Sequence, residues 1–117
     1  MELEITDEGH FHIISIHGDL DATSSIQLDD AIETAMEEGK SLFLFDCKNL
    51  NYISSPGIGV FTSRIDDYDS GKLKMVLFGM SEKVYNVFKL LGLHKLLPIT
   101  NTKEEAKTTI NGLHNKN

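Results

Sequence analysis

The segment Ser41 to Asp46 carries Leu-Phe-Leu-Phe with no polar residue between, and it is too short to be a helix core. Such a run reads as a strand covered on both faces, which belongs in a parallel or mixed sheet flanked by helices rather than in a half-solvated antiparallel one. The flanking chain agrees. Leu28, Ala31, Ile32, Ala35 and Met36 recur at helical spacing before it, after the cap candidates Asp21, Thr23 and Ser24, and Gly39 closes the segment. Beyond the turn at Asn49-Leu50-Asn51, Ile58, Phe61, Ile65 and Tyr68 share a helical face that ends near Ser70-Gly71.

The same alternation extends to both ends. Phe11 to His17 is rich in β-branched and aromatic residues and pairs as a hairpin with Glu2 to Thr6. Leu73 to Phe78 is a strand, and Ser81-Glu82 opens a helix with Val84, Val87, Phe88 and Leu91 as its stripe, stopped by Gly92. Leu96 to Ile99 is a short strand placed at an edge by Pro98. Thr102 and Glu105 have capping-box spacing, and Ala106, Ile110 and Leu113 form the buried face of a last helix before a tail, 115–117, expected to fray. The expectation is one α/β domain over residues 1–117, with a mixed sheet of about five strands, an N-terminal antiparallel hairpin and about four helices.

Composition narrows the chemistry. Eighteen acidic against 11 basic residues give a net charge of −7 with no basic stripe, which disfavours nucleic-acid binding. The apolar runs fall far short of the about 20 residues of a membrane span. The single Cys47 and an N-terminus without a basic and apolar leader point to the cytoplasm. His10, His12 and His17 lack a partner cysteine or placed carboxylate, so no metal or cofactor is expected. Cys47 reads as a buried small residue rather than a nucleophile. Gly-x-Ser-x-Gly is absent, and Gly57-Ile58-Gly59 lacks the third glycine and the lysine of phosphate loops, so no enzyme is expected.

The most informative stretch is Tyr52 to Gly59, Tyr-Ile-Ser-Ser-Pro-Gly-Ile-Gly, where a strand hands over to a helix. Loops at the carboxyl ends of strands are where α/β domains engage ligands. Ser55 is expected to be the N-cap and Pro56 the first helical residue, with Gly57 and Gly59 leaving room for a close approach. A phosphate on this serine would face the positive end of the helix dipole. Taken alone, the stretch reads more readily as a plain helix start.

Three elements together resemble the STAS family, and within it the stand-alone bacterial anti-sigma factor antagonists. They are Gly18-Asp-Leu-Asp21, the strand, loop and helix start from Leu44 to Gly59, and Val84 to Leu97 with its Gly-Leu ending. The resemblance implies phosphorylation at Ser55, two residues before Gly57, with Ser54 as the fallback. It implies partner contact by Asp21, Ser54, Ser55, Pro56, Gly57, Ile58 and Gly59, although Asp21 reads equally as a helix cap. It further implies a cycle in which the unphosphorylated protein binds an anti-sigma factor with serine-kinase activity and frees the sigma factor. The kinase then uses ATP to phosphorylate and release it, and a serine phosphatase resets it. Rival readings are a STAS scaffold or transporter-associated subunit without the switch, or a small-ligand or nucleotide-binding domain.

Overall fold

The computed structural model describes residues 1–115, and side chains as far as residue 112. Strands β1 (Glu2–Glu8) and β2 (Phe11–Leu20) form the hairpin, paired antiparallel from Glu2 opposite His17 to Glu8 opposite Phe11. Helix α1 (Ala22–Glu37) leads to β3 (Leu42–Asp46), which lies parallel to β2. Next come β4 (Leu50–Ile53), α2 (Ser55–Thr62) and α3 (Ile65–Asp69). They are followed by β5 (Lys74–Phe78), α4 (Glu82–Leu90), β6 (Ile99–Thr100) and α5 (Lys103–Asn115). The main sheet runs β1-β2-β3-β5-β6, all parallel after the hairpin.

The Leu-Phe-Leu-Phe run is buried on both faces, as its pattern requires. Phe43 and Phe45 point into the larger core with Ile14, Ile16, Met75 and Leu77, where α1, α2 and α4 add Leu28, Ile32, Phe61 and Phe88. Leu44 points the other way, with Ile13, Val76 and Phe78, under Ala106 and Ile110 of α5. Phe61 meets Phe45 edge-on at 5.2 Å between ring centroids and Phe88 at 6.0 Å, which seats α2 between sheet and α4. Truncating a buried phenylalanine of this kind to alanine costs about 3–5 kcal/mol.

Four expectations are corrected. Asn49-Leu50-Asn51 is not only a turn, because Leu50–Ile53 forms a sixth strand, β4, parallel to the end of β2 beyond a register shift at Gly18/Asp19. The second helix breaks at Arg64 into α2 and α3. Leu96 is not in a strand: Gly92, at φ 73°, turns the chain into a 3-10 helix at Leu93–Lys95, and β6 begins only at Ile99. Leu91, placed on the stripe of α4, is 58 % exposed. Pro98 does precede an edge strand, and its carbonyl accepts from Leu77 N–H at 3.1 Å. Leu113's side chain and residues 116 and 117 of the expected tail lie outside the described residues, while Asn115 is the last residue of α5. No helix among the described residues is long and apolar enough to cross a membrane.

Candidate functional site

The two adjacent serines have different surroundings. Ser54, not Ser55, is the N-cap of α2: its backbone is extended (φ −89°, ψ 173°) and its Oγ accepts from Gly57 N–H at 3.2 Å. The same hydroxyl donates to the Leu20 carbonyl at 2.9 Å, and so does the Ser54 amide, also at 2.9 Å. The cap therefore pins the start of α2 to the end of β2, with its hydroxyl satisfied as donor and as acceptor. Ser55 becomes the first helical residue and Pro56 the second, a position whose N–H also lacks an intrahelical partner. The Ser55 and Pro56 side chains are exposed, and the Ser55 hydroxyl has no hydrogen-bond partner among the described residues.

The two glycines also differ. A Cβ on Gly57 would lie 2.9 Å from Ile53 Cγ1 and 2.9 Å from the Leu20 carbonyl oxygen, so the close approach that this glycine permits is to the protein's own β2 and β4. A Cβ on Gly59 would meet nothing within 4 Å. Ile58 faces the core, at 8 % exposure.

Asp21 is exposed and caps α1 in a capping box with Ser24. Its Oδ1 accepts from Ser24 N–H at 2.9 Å, and its own amide donates to Ser24 Oγ at 2.8 Å. The Ser24 amide, then the Ser24 hydroxyl, hold this carboxyl below its ordinary range, so it is an anion at neutral pH. Because Asp21 follows Leu20, the Ser54–Leu20 bonds bring the two helix starts side by side, each with an exposed polar residue at its tip. Exposed Asp19 adds a further carboxylate to this end.

Arg64, whose role the sequence does not reveal, ties the helices further along. Its guanidinium donates to Asp29 at 2.9 Å and to Glu33 at 2.8 Å on α1. Burial alone would lower its pKa, but the bonds to Glu33 and Asp29 outweigh that and raise it. Ile26, 65 % exposed on α1, and Tyr52, 48 % exposed on β4, also flank the helix starts. An isoleucine outside the buried stripe of α1 was the only sequence signal for the first.

The other candidates lie elsewhere in the fold. Cys47 is fully buried, its thiol pushed up to about 12 by burial and then by the neighbouring Asp46 carboxylate. His12 is buried, with Nδ1 2.7 Å from Asp7, while His17 pairs with Asn49 at 3.1 Å and His10 lies in the hairpin turn. Among the described residues there is no group of three side chains able to hold a metal.

The structure is thus a mixed α/β sheet opened by an antiparallel hairpin, with an exposed serine at the first turn of α2. A family model for the STAS domain matches residues 2–106, and the chain belongs to that family. It is 26 % identical over 106 residues to the anti-sigma-B factor antagonist of Listeria monocytogenes, covering 90 % of this chain and 93 % of that one. Its fold resembles an anti-sigma factor antagonist from Mycobacterium paratuberculosis, with a TM-score of 0.82 at 18 % identity over 94 % of this chain and 93 % of the other. It also resembles the phosphorylated form of the Bacillus cell fate determinant SpoIIAA, with a TM-score of 0.71 at 22 % identity over 93 % and 99 %.

Proposed function

We propose that the protein is an anti-sigma factor antagonist, a binding protein switched by phosphorylation of Ser55. In the unphosphorylated state it binds an anti-sigma factor with serine-kinase activity in the cytoplasm and frees the sigma factor. The observation that carries the choice of residue is the division of labour between the serines: Ser54 is engaged on both sides by Gly57 and Leu20, whereas Ser55 is exposed with a free hydroxyl. The antagonists among its relatives and the phosphorylated SpoIIAA fold support the class of function.

In the transfer, Ser55 Oγ attacks the γ-phosphorus of ATP held by the partner. The Oγ–P bond forms as the bond from phosphorus to the β,γ-bridging oxygen breaks, ADP leaves, and the hydroxyl proton passes to a base on the partner. The product adds about −1.5 to −2 charges at the first turn of α2, at the positive end of its dipole, so the fold accommodates it. Release follows from the new bulk and charge on the docking face. Asp21, Ser55, Pro56 and Gly59 meet the partner, while Ser54, Gly57 and Ile58 set the shape beneath them. A serine phosphatase restores the binding state.

Incubation with the cognate kinase and ATP, followed by peptide mass spectrometry, tests the assignment. Phosphate on Ser55, with Ser54→Ala still a substrate and Ser55→Ala not, is the expected result. Phosphate on Ser54 alone would overturn the choice of residue.

A further inference from the structure

Helices α1 and α2 face each other with stripes of the same i, i+3, i+4, i+7 spacing: Ala22, Ser25, Ile26 and Asp29 on one side, Pro56, Gly59, Val60 and Ser63 on the other. Arg64 draws the helices together at Asp29 and Glu33. Ahead of that tie they leave an open cleft of about 310 Å³.

Gly59 lines this cleft without a structural reason to be glycine. Its φ is not positive, so no left-handed backbone calls for it. A Cβ would touch nothing, unlike the Cβ of Gly57, which would strike Ile53 and Leu20. Glycine inside a helix is nonetheless among the least favourable choices. What Gly59 does is keep the cleft empty. Ile26 forms an exposed apolar lip, Asp29 supplies a carboxylate whose Oδ1 is bonded to Arg64, and no lysine or arginine is among the lining residues. Pro56, next to Ser55 in the chain, lines the end nearest the serine.

We propose that this cleft receives an apolar side chain of the anti-sigma kinase, flanked there by lysine or arginine that meets Asp29 and Asp21, and that Gly59 keeps it open for that purpose. The inference takes its partner from the antagonist reading above and rests on it. A phosphate on Ser55 then stands at the mouth of the cleft, which links modification to loss of the anchor.

The test measures binding of the purified anti-sigma kinase of the same organism, loaded with ADP, to the wild type and to Gly59→Leu, Ile26→Ala and Ser55→Asp, with the melting temperature of each. Gly59→Leu fills the cleft from an open position and is expected to bind at least tenfold more weakly while melting no lower than the wild type; Ile26→Ala is expected to weaken binding by a similar factor. Should Gly59→Leu melt lower, Ile26→Ala alone decides. Wild-type affinity in Ile26→Ala and in a stably folded Gly59→Leu, with binding lost in Ser55→Asp, would overturn the cleft and leave the switch standing. A wild type that does not bind, or a Ser55→Asp that binds as well as wild type, would overturn the switch and the cleft with it.

Discussion

The hydroxyl of Ser54 donates to the carbonyl of Leu20 at 2.9 Å, across 34 positions of chain, and this bond joins the end of β2 to the start of α2. It also engages the Ser54 hydroxyl, whereas that of Ser55 has no hydrogen-bond partner among the described residues. Ser54→Ala removes a cap and leaves the Leu20 carbonyl with only the Ser54 amide, and is expected to destabilise the fold by about 1–2 kcal/mol, a loss of roughly 4–8 °C per kcal/mol in melting temperature. Ser55→Ala is expected to stay within about 0.5 kcal/mol of the wild type. Denaturant unfolding of the two variants checks both, and equal losses would contradict the assignment of the cap.

Gly57 and Gly59 are expected to respond in opposite directions. Gly57→Ala forces a methyl against backbone and branched side chains at 2.9 Å and is expected to lose about 1–3 kcal/mol. Gly59→Ala adds a methyl in open space within a helix and is expected to gain about 0.4–1 kcal/mol. Chemical denaturation midpoints, compared at constant m-value, decide the signs.

Acid should weaken the fold through identifiable groups. Hydrogen bonds from Ser24 lower Asp21, the His12 bond lowers Asp7, and Lys107 and then Lys103 lower Glu8. Each carboxyl is below its ordinary value of 3.8, or 4.5 for Glu8, so each contributes stability above that value that is lost as pH falls through the folded-state pKa. Stability measured between pH 7 and 3 is expected to drop mainly below about pH 4.5. Asp21→Asn is expected to flatten that drop; an unchanged slope would contradict the capping role.

Cys47 should be chemically silent in the native protein. With its thiol buried and pushed up to about 12, almost no thiolate exists at pH 8. Labelling with a disulfide reagent at pH 8 is expected only in denaturant or through slow opening. Fast stoichiometric labelling of the native protein would contradict the packing of β3 against β5.

Much of this architecture was readable because the patterns were local. The burial of Leu42 to Phe45 on both faces, the cap at Ser81 and the capping box from Thr102 to Glu105 all stand in the structure as the pattern implied. β4 escaped because four residues with two buried ends, Leu50 and Ile53, become a strand only by pairing with β2 beyond its irregularity at Gly18/Asp19, a contact between distant parts of the chain. The cap moved from Ser55 to Ser54 for the same reason: the Leu20 carbonyl that fixes it lies far away in sequence. The family resemblance rested on Leu44 to Gly59 as a whole, whereas the distinction between two neighbouring serines needed the hydrogen bonds.

The most direct test of the switch is the affinity of the purified anti-sigma kinase for the protein before and after stoichiometric phosphorylation of Ser55, measured by calorimetry in the presence of ADP. Binding that weakens at least tenfold on phosphorylation and returns after phosphatase treatment is the predicted result. Equal affinity in the two states would contradict it.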